Sequence, residues 1–164
     1  MYFVDSSALV KAYVTEQGTA TVQAAINGLG ASLCVSTLVI LETAAALARL
    51  RRTQHIRQNV YTRARKNFLE DCRIRFHVVH PPESVVRTTV GMTDTYRMRS
   101  VGAADLFHIA AAEYARTLFP GETISLMCCD HALRSVAEER GFDVFDPLRD
   151  PLSALLPATT PGQN

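Results

Sequence analysis

Short apolar runs alternate with longer amphipathic stretches along almost the whole chain. Tyr2-Phe3-Val4 is rich in strand formers and is stopped by Asp5-Ser6-Ser7, so it predicts a strand running into a helix cap. Helices are predicted over Ser6 to Val14 and Glu16 to Asn27, the second closed by Gly28 and Gly30. Leu33-Cys34-Val35 predicts the second strand. Ser36 or Thr37 then caps a helix whose stripe is Leu38, Leu41, Ala45 and Ala48. A helix from Ile56 to Cys72, a strand from Phe76 to Val79, the stop at Pro81-Pro82 and a helix from Glu83 to Met98 follow. Val101 to Leu118 is apolar nearly all round and predicts a buried helix. Ile124 to Cys129 predicts a strand, with Asp130 capping a helix from His131 to Arg140 that Gly141 ends. Val144-Phe145 predicts the last strand before Pro147.

Short apolar strands separated by helices imply an α/β fold, three layers with a central parallel sheet. Residues 1–150 form the expected domain, and 151–164, rich in Pro, Thr and Gly, read as a loosely ordered tail. No apolar stretch approaches the roughly 18–20 residues that a membrane span needs. The start lacks a basic leader followed by a long apolar segment, so a cytoplasmic location is expected. The cysteines, Cys34, Cys72, Cys128 and Cys129, form no CxxC pair and no zinc spacing, and read as small buried hydrophobes.

Charge changes the picture. The net charge is only +1, but Arg49 to Arg99 carries 12 basic and 4 acidic residues, and the rest of the chain 5 basic and 12 acidic. Such separation implies an acidic centre beside a basic surface, or a solvated helical face.

Four acids stand where chemistry would need them. In open α/β sheets, sites form beyond the carboxyl ends of strands. Asp5 follows the first strand and Asp130 the fourth; either also suits a plain helix cap. Glu42 is the only charge between Thr37 and Ala48, and Asp105 stands in an equally apolar run whose other polar residue is His108, at i, i+3. His108 itself reads as a satisfied structural histidine. Carboxylates converging at one edge need a cation or protons to neutralise them. Hard oxygen donors suit Mg²⁺ or Mn²⁺, which can activate water for attack on a phosphodiester.

These residues resemble a known family. Tyr2-Phe3-Val4-Asp5-Ser6-Ser7, Glu42 in Leu38-Val39-Ile40-Leu41-Glu42, Ala103-Ala104-Asp105-Leu106-Phe107-His108 and Cys129-Asp130-His131-Ala132-Leu133 look, in that order, like the motifs of PIN-domain ribonucleases, in particular the VapC toxins of toxin–antitoxin pairs. The resemblance covers roughly residues 1–147. It implies that Asp5, Glu42, Asp105 and Asp130 bind metal and that Ser7 orients the site near Asp5. It also implies a Mg²⁺- or Mn²⁺-dependent endoribonuclease, an RNA substrate, a homodimer and a cognate antitoxin. Cys128 departs from the pattern, standing where many relatives have Ser or Thr. Arg49, Arg51, Arg52, Arg57, Arg97 and Arg99 are candidates to steer the RNA backbone. One rival is a phosphatase of the HAD type, but it needs a second acid where Ser7 stands. The other is a non-catalytic RNA- or antitoxin-binding module on the same fold.

Overall fold

The computed structural model describes residues 1–29 and 32–155. Five strands, β1 (Tyr2–Val4), β2 (Leu33–Ser36), β3 (His77–Val79), β4 (Ser125–Met127) and β5 (Val144–Phe145), form one all-parallel sheet in the order β3-β2-β1-β4-β5. Among the described residues seven α-helices flank them: α1 (Ser6–Leu9), α2 (Thr19–Leu29), α3 (Thr37–Arg52), α4 (Gln58–Ile74), α5 (Glu83–Thr95), α6 (Ala103–Leu118) and α7 (His131–Glu139). All four residues of β2 are buried, so apolar side chains are covered on both of its faces, as a parallel sheet requires. The α/β architecture expected from the alternating pattern is the one observed.

The strand order positions the site. The chain moves outward from β1 through β2 to β3, then returns to the other side of β1 with β4 and β5. The reversal lies between β1 and β4, whose register pairs Val4 with Met127. The crevice at such a switch point is where a parallel sheet offers a site. Phe3, Leu33, Leu126 and Ile109 are completely or almost completely buried beneath it.

Several boundaries differ from the sequence pattern, for local reasons. The first helix stops at Leu9 and tightens into a 3₁₀ turn, Val10–Ala12, instead of running to Val14. The second begins at Thr19, not Glu16. The Thr19 hydroxyl donates to Val14 O and accepts from Glu16 N–H, holding the preceding loop. Gly18, at φ +88°, allows that loop to turn where an added Cβ would meet Leu148 at 2.9 Å. Gly28 does not close α2 but lies within it. Its outer face is open, and burial of Val22, Ala25 and Ile26 on the inner face outweighs the roughly 1 kcal/mol that a helical glycine costs. Gly30 lies outside the described residues. Gly141, at φ +73°, does follow the end of α7.

The fourth strand is shorter than Ile124 to Cys129. Cys128 N–H still donates to Phe145 O, but Cys129 N–H turns off the ladder to the Ser7 hydroxyl. Asp130 therefore stands two residues beyond the loop's start instead of directly after the strand. α5 ends at Thr95 instead of Met98, and α4 is shifted to Gln58–Ile74. Leu152–Ala154 forms a 3₁₀ turn and Leu155 is buried, so the first residues after Pro151 are ordered; residues 156–164 lie outside the described part. No described helix is long and apolar enough to cross a membrane.

Candidate metal centre

Asp5 is placed by the edge of the sheet. Its N–H donates to Met127 O, extending the β1–β4 ladder by one bond, and its Oδ2 accepts from Ser7 N–H at 2.9 Å, capping α1. One carboxylate oxygen is thus used locally. The other, Oδ1, points to His108 Nε2 at 3.4 Å. Asp5 is 3% exposed, deep for a carboxylate.

Glu42 arrives from α3, one and a half turns into a helix that Ser36 caps by accepting from Val39 N–H. α3 packs against α1, which brings Glu42 beside Ser6 and within reach of α6. His108 Nε2–H donates to Glu42 Oε2 at 2.7 Å. His108 Nδ1 is buried with no partner among the described residues. A proton there would be an unsatisfied buried donor, so the neutral ring keeps its proton on Nε2, facing the acids. Donor atoms of Asp5, Glu42 and His108 lie within 4.8 Å of one another.

Asp105 sits in the first turn of α6. Its Oδ2 accepts from Gly102 N–H at 2.8 Å, the reciprocal half of a capping box that Gly102, lacking a side chain, leaves otherwise open. Asp130 caps α7 by accepting from Leu133 N–H at 2.9 Å and is exposed. Ser7 Oγ accepts from Cys129 N–H at 2.9 Å, tying the start of α1 to the loop that carries Asp130.

Burial and neighbouring groups shift Asp105, Glu42 and His108 from their ordinary values. Burial pushes the Asp105 carboxyl up; the Gly102 bond pulls it down, and the charges of Asp130 and Asp5 push it further up. The His108 hydrogen bond holds Glu42 below its ordinary value against its partial burial. For His108, burial favours the neutral ring, but the Glu42 bond and the charges of Asp5, Glu42 and Asp105 outweigh it and raise the imidazole.

The structure thus brings Asp5 and Glu42 together with His108 and sets Asp105 where it feels the charges of Asp5 and Asp130. Asp130 stands at the open rim. His108, read from the sequence as structural, lies in the cluster itself; its i, i+3 spacing from Asp105 was the available signal. Asp146, after β5, is a buried acid that the sequence reading passed over. Its Oδ1 accepts from Leu148 N–H, Arg149 lies 3.4 Å away, and its carboxylate also acts on the Cys129 thiol. The cysteines are free thiols, and burial pushes Cys34 and Cys129 up to about 12, so they are unreactive at neutral pH.

The parallel α/β domain carries at its switch point an acidic, histidine-buttressed cluster whose side chains could hold a metal ion. The chain belongs to the PIN domain family, which it matches over residues 2–144. PIN domains are generally nucleases that use divalent metals. Among solved structures, the chain is similar to PAE2754 from Pyrobaculum aerophilum, with 21% identity, a TM-score of 0.59, and coverage of 94% of this chain and 88% of that one. It is similar to FitAB bound to an IR36 DNA fragment, at 15% identity, a TM-score of 0.65 and coverage of 92% and 98%. A toxin–antitoxin complex from Klebsiella pneumoniae matches at 11% identity, a TM-score of 0.59 and coverage of 90% and 98%. No curated protein matches the chain by sequence.

Proposed function

We propose that this protein is a Mg²⁺- or Mn²⁺-dependent endoribonuclease and the toxin of a toxin–antitoxin pair. The convergence of Asp5, Glu42 and His108 within 4.8 Å at the switch point of a PIN fold carries the reading. Asp5, Glu42, Asp105 and Asp130 would hold the metal, with Ser7 fixing the corner between Asp5 and the Asp130 loop. The residues fit such an ion: the acids offer hard oxygen donors, and carboxylate oxygens of Asp5 and Glu42 lie within 4.8 Å of one another. When bound, the cation supplies water activation and charge stabilisation at phosphorus.

The chain's own residues do the rest. Asp5 presents Oδ1 inward because its other oxygen is occupied by the α1 cap. His108 holds Glu42 in one rotamer and keeps it anionic, ready to orient a water or accept its proton. Asp130, exposed at the rim, stands where the substrate phosphate enters. The basic segment Arg49–Arg99 supplies affinity for a polyanion that the acidic pocket would otherwise repel.

The toxin–antitoxin complex among the structural neighbours supports an antitoxin as partner. Exposed Val86 and Val90, one turn apart on α5, offer apolar surface for pairing with a second copy. The test is cleavage of total cellular RNA by purified protein with Mg²⁺, Mn²⁺ or EDTA, beside Asp5→Asn and Asp105→Asn. Metal-dependent cuts absent from both variants support the reading. Cleavage that persists in EDTA, or in both variants, overturns it.

A further inference from the structure

Six arginines were candidates to grip nucleic acid, and the structure separates them. Arg51 Nε donates to Gln58 Oε1 at 2.8 Å, Arg99 pairs with Glu139 at 2.6 Å, and Arg97 donates to Asp94 O at 3.0 Å. Arg49 and Arg52 are different. Neither makes a side-chain hydrogen bond or ion pair among the described residues, and both line a groove of ≈ 660 Å³ that begins at Ser6 and Glu42.

The groove follows one face of α3. Counting from Glu42, Ala45 and Ala46 stand at +3 and +4, Arg49 at +7 and Arg52 at +10, so a single stripe runs from acid through small residues to two cations. At 1.5 Å rise per residue, Arg49 and Arg52 lie about 10 and about 15 Å along the axis from Glu42. Alanine methyls keep the groove's floor low where a longer side chain would fill it.

We propose that this groove is a track for single-stranded RNA, with Arg49 and Arg52 binding the phosphates next to the one held at the acid cluster. The proposal rests on the nuclease reading and deepens it. The occupant follows from charge and continuity: one end of the groove opens on the acids that would hold a phosphate-bound cation, and the other carries two uncommitted guanidiniums that match phosphate oxygens. Arg51, Arg97 and Arg99 are held by their own protein partners and would have to break those contacts to join, and Arg57 does not line the groove. Arg49 and Arg52 are exposed, so their replacement leaves the core untouched.

The test is the salt dependence of binding of a fluorescein-labelled single-stranded RNA to the full chain in EDTA, read by anisotropy. Losing two phosphate contacts should lower the slope of log K against log[KCl] by about 1.4, at about 0.7 per contact for single strands. Arg49→Gln/Arg52→Gln should show that drop. Arg73→Gln/Arg87→Gln, which removes cations already paired with Glu70 and Glu83, should keep the wild-type slope. An unchanged slope in the Arg49/Arg52 variant overturns the proposal, including where that variant instead loses antitoxin binding, which would assign the groove to a protein. Wild-type protein that binds no RNA overturns it too. Metal-dependent cleavage with an unchanged slope leaves the nuclease reading standing without the track. A reduced slope with no cleavage in any metal leaves the track standing without the nuclease.

Discussion

His108 Nε2 lies 2.7 Å from Glu42 Oε2, although 66 residues separate them, and the same nitrogen lies 3.4 Å from Asp5 Oδ1. One imidazole on α6 therefore links acids contributed by β1 and α3. It is 2% exposed, so its ring is shielded from solvent. Loss of this ring leaves Glu42 free to rotate and two carboxylates without their shared donor. His108→Ala should weaken Mn²⁺ binding, measured by calorimetry, by about 10–100-fold, the usual effect of removing a group that orients a ligand. His108→Gln, which retains an N–H donor, should recover part of it. Equal metal affinity in wild type and His108→Ala would remove His108 from the site and return it to a structural role.

The pair also gives the metal-free protein a pH dependence. Glu42 is lowered from 4.5 in the fold, so its contribution is complete above 4.5 and is lost as pH falls through the depressed value. His108 is raised from 6.5, so its contribution is complete below 6.5 and is lost as pH rises through the elevated value. Both are present between pH 4.5 and 6.5. Thermal melts in EDTA should show the stability difference between wild type and His108→Gln largest in that window and shrinking on either side. A difference that grows from pH 7 to 9 would contradict the assigned directions.

Asp105 presents the opposite case. Its carboxyl is raised, so the ionised group at neutral pH opposes the metal-free fold. Asp105→Asn keeps an oxygen to accept from Gly102 N–H while removing the charge. In EDTA at pH 7 the variant should melt about a degree or two higher than wild type, the scale of a near-surface charge change in a domain of this size. Added Mn²⁺ should reverse the order, because only wild type presents the carboxylate. A variant that melts lower than wild type in EDTA would show that the charge is already compensated.

Legibility in the sequence followed the range of the interaction. Glu42 and Asp105 stood out because each is a lone acid in an apolar run, where an unpaired charge is costly and needs a reason, and Asp5 because it directly follows the first strand. The parallel sheet was legible because its strands are short and continuous in apolar character. His108 was not legible, because a histidine in an alanine-rich helix looks the same from the sequence whether it fills the core or faces a carboxylate. Only the tertiary contacts of His108 with Glu42 and Asp5 decide it. Gly28 misled for a related reason: a glycine on the open face of a helix and one at its end have the same local sequence, and burial on the far side of α2 decides between them. The arginines likewise needed the tertiary structure, since their partners Gln58 and Glu139 lie on other elements.

Ser7 offers a way to separate the scaffold from the acids. Its hydroxyl accepts from Cys129 N–H, the one bond that pulls the chain off the end of β4 and aims the following loop toward Asp130. Ser7→Ala leaves that part-buried N–H without its acceptor, which should cost about 1–2 kcal/mol of stability. It should also let the Asp130 loop relax toward continued pairing with β5, where Cys128 N–H already bonds Phe145 O. Asp130→Asn removes the charge but keeps the α7 cap, since asparagine caps as well as aspartate. Asp5→Asn likewise keeps the α1 cap. Cleavage should fall by about 10²-fold in Asp5→Asn, because the buried acid beside His108 is lost. Asp130→Asn should fall less, because that carboxylate is exposed and its place can be taken by water. Ser7→Ala should lose both stability and activity, the activity by no more than Asp130→Asn if Ser7 acts only through the loop. A Ser7→Ala loss as deep as that of Asp5→Asn would instead place the hydroxyl against the reacting groups. The measurement is paired: urea unfolding and metal-dependent RNA cleavage on the same three purified variants.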